Sequence, residues 1–357
     1  MTPRVVHVAS GREWRGGQRQ VWLLARELAR TPGVEQVVVT GAGSELAERL
    51  RNFGIAIRAV PWTAGLDPRV MPWLLAELRQ DGTIVHAHDA HAVTLGGLAA
   101  RLMGRPFVAT RRVDFHLRRR GFWTRADRVI AISRAVAEVL IADGVRADRI
   151  AIVHSGIAVE ETRRAGRFGV RGVLGLAPDA LVAVNVGALV AHKDHATLLR
   201  TAARLDDRFP SLHWVIAGEG PERGALERLR DELRLNGRLH LLGEIAEPAR
   251  VIADADLFVM SSREEGLGTS VLDAMALGIP VASTAAGGLP EMLEGGAGAL
   301  APPGDPVALA RAVGRLLDDA ALTQQTVARA GEVVERFTAA RMAEAVRTVY
   351  RSCAPFP

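Results

Sequence analysis

The sequence predicts an α/β protein of two doubly wound domains with parallel sheets. Three observations carry this. At 357 residues, 48% apolar and 24% charged, the chain is long for one domain and has apolar material for two large cores. Short apolar runs alternate with segments of helical periodicity along most of its length, the pattern of successive βαβ units. Glycine-bearing turns recur where a strand hands over to a helix, which is where such sheets bind phosphates.

Residues 4–8 read as the first strand. The turn after it, from Ser10 through Gly16 and Gly17, leads to a helix over residues 18–29, where Val21, Leu24, Ala25 and Leu28 recur at helical spacing. Strands follow at residues 36–40, 55–60, 83–87, 107–110, 128–132 and 149–153. Residues 154–176 are polar and glycine-rich and are expected to link the halves, giving domains of residues 1–165 and 166–338. The alternation then restarts, with strands at residues 181–186, 212–217, 239–242, 257–260 and 279–282 and helices over 194–205, 222–235 and from near Ser270. Gly278 and Pro280 mark the stop of that last helix. Amphipathic helices near residues 306–317, 322–336 and 339–351 end the chain, and residues 339–357 are expected to pack back on the first domain.

Charge divides unevenly. Residues 1–165 hold 25 Arg against 16 acids, a balance of +9, while the remainder stands at −4. A basic half implies an anionic partner such as membrane lipid, nucleic acid or a charged glycan. Arg111, Arg112, Arg118, Arg119, Arg120, Arg125 and Arg128, interleaved with Phe115, Phe122 and Trp123, have the make-up of a patch for an anionic membrane surface or a polar acceptor; a solvated loop is the alternative. No apolar run reaches the roughly 18 residues of a membrane span, and no signal-peptide pattern opens the sequence. The expected location is cytoplasmic, with a peripheral place at the inner face of the membrane. The single cysteine, Cys353, excludes an intramolecular disulfide and a cysteine metal site.

Of the 45 basic residues, 44 are arginine and Lys193 is the only lysine. It follows a strand and the turn glycine Gly187, with Asp194 as the expected N-cap of the next helix, so a compact ammonium there can reach a diphosphate. In the run Glu265, Gly266, Leu267, Gly268, Thr269, Ser270 … Asp273, two carboxylates flank a phosphate-binding turn. A carboxylate accepts two hydrogen bonds from a vicinal diol, so one acid can hold sugar hydroxyls and the other a ribose. The competing reading makes Ser270 and Asp273 a capping box. Gly218 begins a further glycine turn, but no strand turn carries the third glycine of a dinucleotide fingerprint, which argues against a nicotinamide enzyme. His86, His88 and His91 fit neither a HExxH helix nor a zinc finger; they read as an acceptor-facing polar edge or satisfied loop histidines, and no metal is expected.

Taken together these segments resemble the retaining GT-B glycosyltransferases of family four, the group-one transferases. The resemblance rests on Glu265, on Asp273-Ala274-Met275-Ala276-Leu277-Gly278-Ile279-Pro280-Val281, and on ADRVIAIS, HSGI, VGALVAHK and AGEGP in that family's order. It implies two facing Rossmann-like domains with an interdomain cleft. Activity would be metal-independent transfer, without a cofactor, from a nucleotide sugar to a glycan or glycolipid of the cell envelope, with retention of configuration. It further implies that Glu265 contacts the donor sugar, Asp273 the ribose, Lys193 the diphosphate, and Gly16 with Gly17 the donor phosphates from across the cleft. Backbone near Gly218 and Leu242 would read the base. Arg112 either replaces the family's usual histidine near the reacting sugar or joins Arg111 on an anionic acceptor, with Glu13, Trp14, His88 and Asp114 as further acceptor candidates. The second acid is Asp rather than Glu, and Ala188 stands where many members have arginine. A nucleotide-sugar epimerase or a sugar phosphorylase of similar fold is the runner-up. A non-catalytic basic protein binding lipid or nucleic acid fits the donor motifs poorly, so no nucleic-acid partner is expected.

Overall fold

A computed structural model describes residues 4–63 and 65–353. The chain divides into two units, one running to Gly156 and resuming at Thr338, the other spanning Ile157–Phe337. The first unit holds strands β1 (Arg4–Ala9), β2 (Glu35–Gly41), β3 (Ala56–Val60), β4 (Thr83–Ala87), β5 (Phe107–Arg111), β6 (Arg128–Ala131) and β7 (Ile150–Ile152), in the order β3-β2-β1-β4-β5-β6-β7. The second holds β8 (Leu181–Val186), β9 (Leu212–Ala217), β10 (Leu239–Gly243), β11 (Leu257–Met260), β12 (Val281–Thr284) and β13 (Ala299–Ala301), ordered β10-β9-β8-β11-β12-β13. All neighbouring strands within each sheet are parallel. The central strand β11 is buried at every residue, which is why it reads as a continuous apolar run rather than an alternating one.

In each sheet the strand order reverses once, between β1 and β4 and between β8 and β11. Ligands of doubly wound sheets bind beyond the carboxyl ends of the strands at that reversal. In the second unit the reversal is held open by a side chain. Pairing of β8 with β11 stops at Phe258↔Val184. Buried Asn185 then donates from Nδ2 to Val259 O at 2.7 Å, while its Oδ1 lies 3.0 Å from His195 Nε2. Burial lowers the His195 pKa to about 4, so the neutral ring donates to the amide oxygen. Asn185→Ala leaves both partners buried and unmet, at an expected cost of about 1–3 kcal/mol in urea unfolding; a change below about 0.5 kcal/mol would contradict this role.

Four expectations are corrected. Residues 157–165 pack in the second unit, where buried Thr162 of the helix Val159–Arg163 donates to Asp273 Oδ1 at 3.4 Å. The strand expected from residue 279 starts at Val281, because Ile279 N still bonds Ala274 O at 3.0 Å and closes the preceding helix. β13 was not expected: three residues are too few to carry a pattern. Two of the three aromatics of the arginine segment, expected at a surface patch, pack inward instead. Trp123 is buried beneath Arg111, and Phe122 packs on Phe107 and over Gly97, while Arg118, Arg119, Arg120 and Arg125 stay exposed. Among the described residues no helix is long and apolar enough to cross a membrane. The last helix, Ala339–Arg351, lies in the first unit, where its buried Tyr350 meets His86.

Candidate functional site

The loops after β8 and β11 meet at the reversal of the second sheet. After β8, Gly187 N bonds Ala217 O at 3.1 Å, and the chain makes a single turn over Ala191–Lys193. Asp194, at φ 45°, then caps the helix His195–Leu205 by accepting from Thr197 N at 3.2 Å. After β11, Ser261 Oγ donates to Lys193 O at 3.1 Å and Arg263 N to His192 O at 2.8 Å, stitching one loop to the other. The side chains then join: Lys193 Nζ forms an ion pair with Glu265 Oε2, with Ser262 Oγ 3.4 Å from the same oxygen. Both are mostly shielded, with side-chain exposures of 18% and 11%.

Beyond Glu265 the chain crosses Gly266 and buried Leu267 to Gly268, at φ 89°, where an added Cβ would lie 2.7 Å from Leu289 Cδ2. Gly268 is the N-cap of the helix Thr269–Ala276 and has no side chain to satisfy it, so that helix presents its first N–H groups beside the ion pair. Ser270 is not a capping-box residue: its Oγ donates to Val186 O at 3.3 Å. Asp273 lies in the second turn of the helix, is 2% exposed and accepts from Thr162, so it is not the capping-box partner of this N-terminus. Gly218 and Leu242 stand at the carboxyl ends of β9 and β10, where Gly218 N bonds Gly243 O at 2.8 Å. Gly187, Lys193, Gly218, Leu242 and Glu265 to Ser270 thus share one edge of one sheet. Arg263 was missed by sequence reasoning. Its Nε donates to Asp194 Oδ2 at 2.7 Å, holding a cation beside the lysine turn.

The first unit has a matching edge at its own reversal. Ser10 donates from N and Oγ to Asp89, at 2.7 and 2.5 Å, and Asp89 Oδ1 caps the helix Ala90–Met103. The helix Gly16–Ala29 starts without a side-chain cap, and a Cβ on Gly17 would lie 4.0 Å from Arg112 Cδ. Arg112 donates to His88 O at 2.8 Å and to His88 Nδ1 at 3.2 Å, and its buried Nε has no partner among the described residues. Burial lowers its pKa to about 10, which leaves it a cation at neutral pH. Gly17, His88 and Arg112 are therefore together.

The other acceptor candidates are held by contacts of their own. Trp14 is wedged between Trp22 and the Arg49 guanidinium. Arg111 is turned onto Val113 O and Phe115 O, with Asp114 in its field. Glu13 is exposed in an ion pair with Arg15. His91 is exposed and apart from a buried group formed by His7, His86 and His88, one ring nitrogen from each lying within 4.8 Å of the others. His7 was missed because strand register, not sequence proximity, sets it against His86. The rings of this group already hydrogen-bond: His86 to Tyr350 OH and Thr110 Oγ1 at 2.7 and 2.6 Å, and His7 to His88 at 2.9 Å. Burial keeps them neutral, lowering His7 to about 3 and the other two well below the usual value.

Residues 170–333 match the family described as glycosyl transferases group 1, and residues 14–161 match glycosyltransferase family 4. A D-inositol 3-phosphate glycosyltransferase of Streptomyces bingchenggensis is 33% identical over 239 residues, covering 63% of this chain and 52% of that protein. The match thus spans about half the length of that relative. The lipopolysaccharide core biosynthesis glycosyltransferase LpsD of Rhizobium meliloti is 27% identical over 93% of each chain. Among solved structures, Anabaena HepE in complex with UDP-glucose superposes with a TM-score of 0.84 at 21% identity, over 97% of this chain and 99% of that one, a likeness of fold.

Proposed function

Because the chain belongs to the group 1 glycosyltransferases and has their GT-B fold of two Rossmann-like domains, we propose that it moves a sugar from a nucleoside-diphosphate sugar to an acceptor hydroxyl. The observation that carries this reading is Lys193 beside Glu265 and an uncapped helix N-terminus at the β8/β11 reversal. Glycosyl transfer builds positive charge at the anomeric carbon and negative charge on the departing diphosphate. The Lys193 ammonium and the N–H groups from Thr269 onward are suited to receive that negative charge. Glu265, held by Lys193 in the ligand-free protein, accepts donor sugar hydroxyls once the diphosphate takes over the ammonium. Gly16 and Gly17 are assigned to donor phosphates, and Arg112 to the reacting sugar or an anionic acceptor, by the resemblance.

Metal independence belongs to the proposal: Lys193 and the helix N–H groups supply the charge stabilisation, and the histidine group is occupied by its own hydrogen bonds beside the Arg112 cation. Transfer of a hexose with retention rests on the resemblance. A cell-envelope glycan or glycolipid is the proposed acceptor, supported by the lipopolysaccharide core named for the Rhizobium relative and by the exposed arginines, which suit an anionic membrane surface at the cytoplasmic face.

A thermal-shift screen with UDP, GDP, ADP and their sugars tests the reading. Ligand at about 100 times its Kd stabilises by roughly 2.7 kcal/mol, a rise of about 5–10 °C for a unit of this size. No shift with any of them would sink the donor assignment. Release of sugar phosphate in the presence of inorganic phosphate would favour the phosphorylase, and interconversion of the sugar without an acceptor the epimerase.

A further inference from the structure

Hydrogen bonding around Arg112 has a forced direction. A guanidinium only donates. Arg112 Nη2 meets His88 Nδ1 at 3.2 Å, so Nδ1 supplies a lone pair and the neutral His88 ring carries its proton on Nε2. That proton faces His7 Nδ1 at 2.9 Å, so His7 is an acceptor there and carries its own proton on Nε2. His7 Nε2 and Gln36 Oε1 are both buried and lack a partner of standard geometry among the described residues, one an obligatory donor and the other an acceptor. Strand register makes them neighbours. His7 lies opposite Val38 and Gln36 opposite Val5, a diagonal pair on one face of the sheet and within reach of long side chains. Gln36 Nε2 is tied to Ala25 O at 2.7 Å, which leaves Oε1 for the ring.

We infer that Arg112, His88, His7 and Gln36 form a one-way hydrogen-bond relay that fixes the Arg112 guanidinium in a single orientation at the start of the helix Gly16–Ala29. His88, His7 and Gln36 are positioning residues in this arrangement. Two of the five guanidinium N–H groups go to His88; the buried Nε–H and the remaining Nη hydrogens are left for an anionic oxygen of the substrate. Tautomer-locked rings suit this task because burial keeps them neutral, so the relay does not lose its direction near neutral pH. The functional clause rests on the glycosyltransferase reading; the relay itself does not.

Long-range 1H–15N correlation of histidine side chains in the full chain, labelled selectively at histidine, reads the tautomers directly. His88 and His7 are expected as neutral rings protonated at Nε2 at pH 7. An Nδ1–H tautomer at either ring overturns the relay. The positioning role is read from two variants that keep different ends of the ring, using the nucleotide sugar that stabilises the protein most. His88→Asn keeps an acceptor where Nδ1 stands but loses the Nε2 link to His7, and its kcat should fall less than that of His88→Gln. His88→Gln places its amide near Nε2 and loses the Arg112 contact, and its kcat should fall about tenfold or more with little change in KM, the scale for a misplaced catalytic group. Equal losses in both variants overturn the positioning role. Expected tautomers in a protein that turns over no nucleotide sugar would uphold the relay while removing the glycosyltransferase reading.

Discussion

Lys193→Ala is expected to lower kcat/KM by roughly 10² to 10³, the scale for removing one charge-stabilising donor from a shielded site. Lys193 is the sole lysine among 45 basic residues, it sits on the turn after β8, and its ammonium is already directed across the reversal to Glu265. Removing it leaves a mostly shielded carboxylate without its cation, so some stability is lost as well. The Lys193→Ala/Glu265→Gln double variant separates the two effects: it relieves the unpaired charge and should recover melting temperature without recovering turnover. Lys193→Arg should recover little turnover, because a planar fork does not reproduce a compact ammonium held at 18% exposure. Donor turnover within about threefold of wild type in Lys193→Ala would remove Lys193 from the mechanism.

Gly218→Ala should be among the most destabilising single changes in the second unit. A Cβ there would lie 1.9 Å from Gly187 O, a contact with backbone that no rotamer relieves. Gly218 is also bridged to Gly243, so the turns after β8, β9 and β10 cannot part independently. Overpacking of this kind costs about 3 kcal/mol, a fall of roughly 6–12 °C in Tm for a unit of this size. Since these turns are assigned to the nucleotide, the variant should also lose most of its thermal response to nucleoside diphosphates. A fall in Tm below about 2 °C would show that the turns yield more easily than their geometry implies.

What was legible in the sequence follows from how local its causes are. The strands of both sheets and most helices were readable because burial and periodicity are local. Glu265 and Lys193 were readable because a loop acid beside glycines and a solitary lysine stand out against their background. The misses came from contacts between distant segments. The first domain is expected to end at residue 165 because nothing nearby in sequence reveals that Thr162 pairs with Asp273. Ser270 and Asp273 have capping-box spacing, yet the helix begins at Thr269, so Ser270 and Asp273 stand inside it. Trp14, Phe122 and Trp123 suggested contact surfaces, but Trp22, Phe107 and Arg111 take them up for packing. His7 joins His88 only through the register of β1 with β4.

The central claim is that Lys193 meets the diphosphate of the donor, and the composition supplies its most direct measurement. Labelling the protein with lysine carrying 15N at Nζ gives one side-chain signal, because there is one lysine. Titration with the stabilising nucleotide sugar should move that signal as the ammonium exchanges Glu265 for the diphosphate, saturating at the same concentration as the thermal stabilisation. Full stabilisation with an unmoved lysine signal would contradict the account.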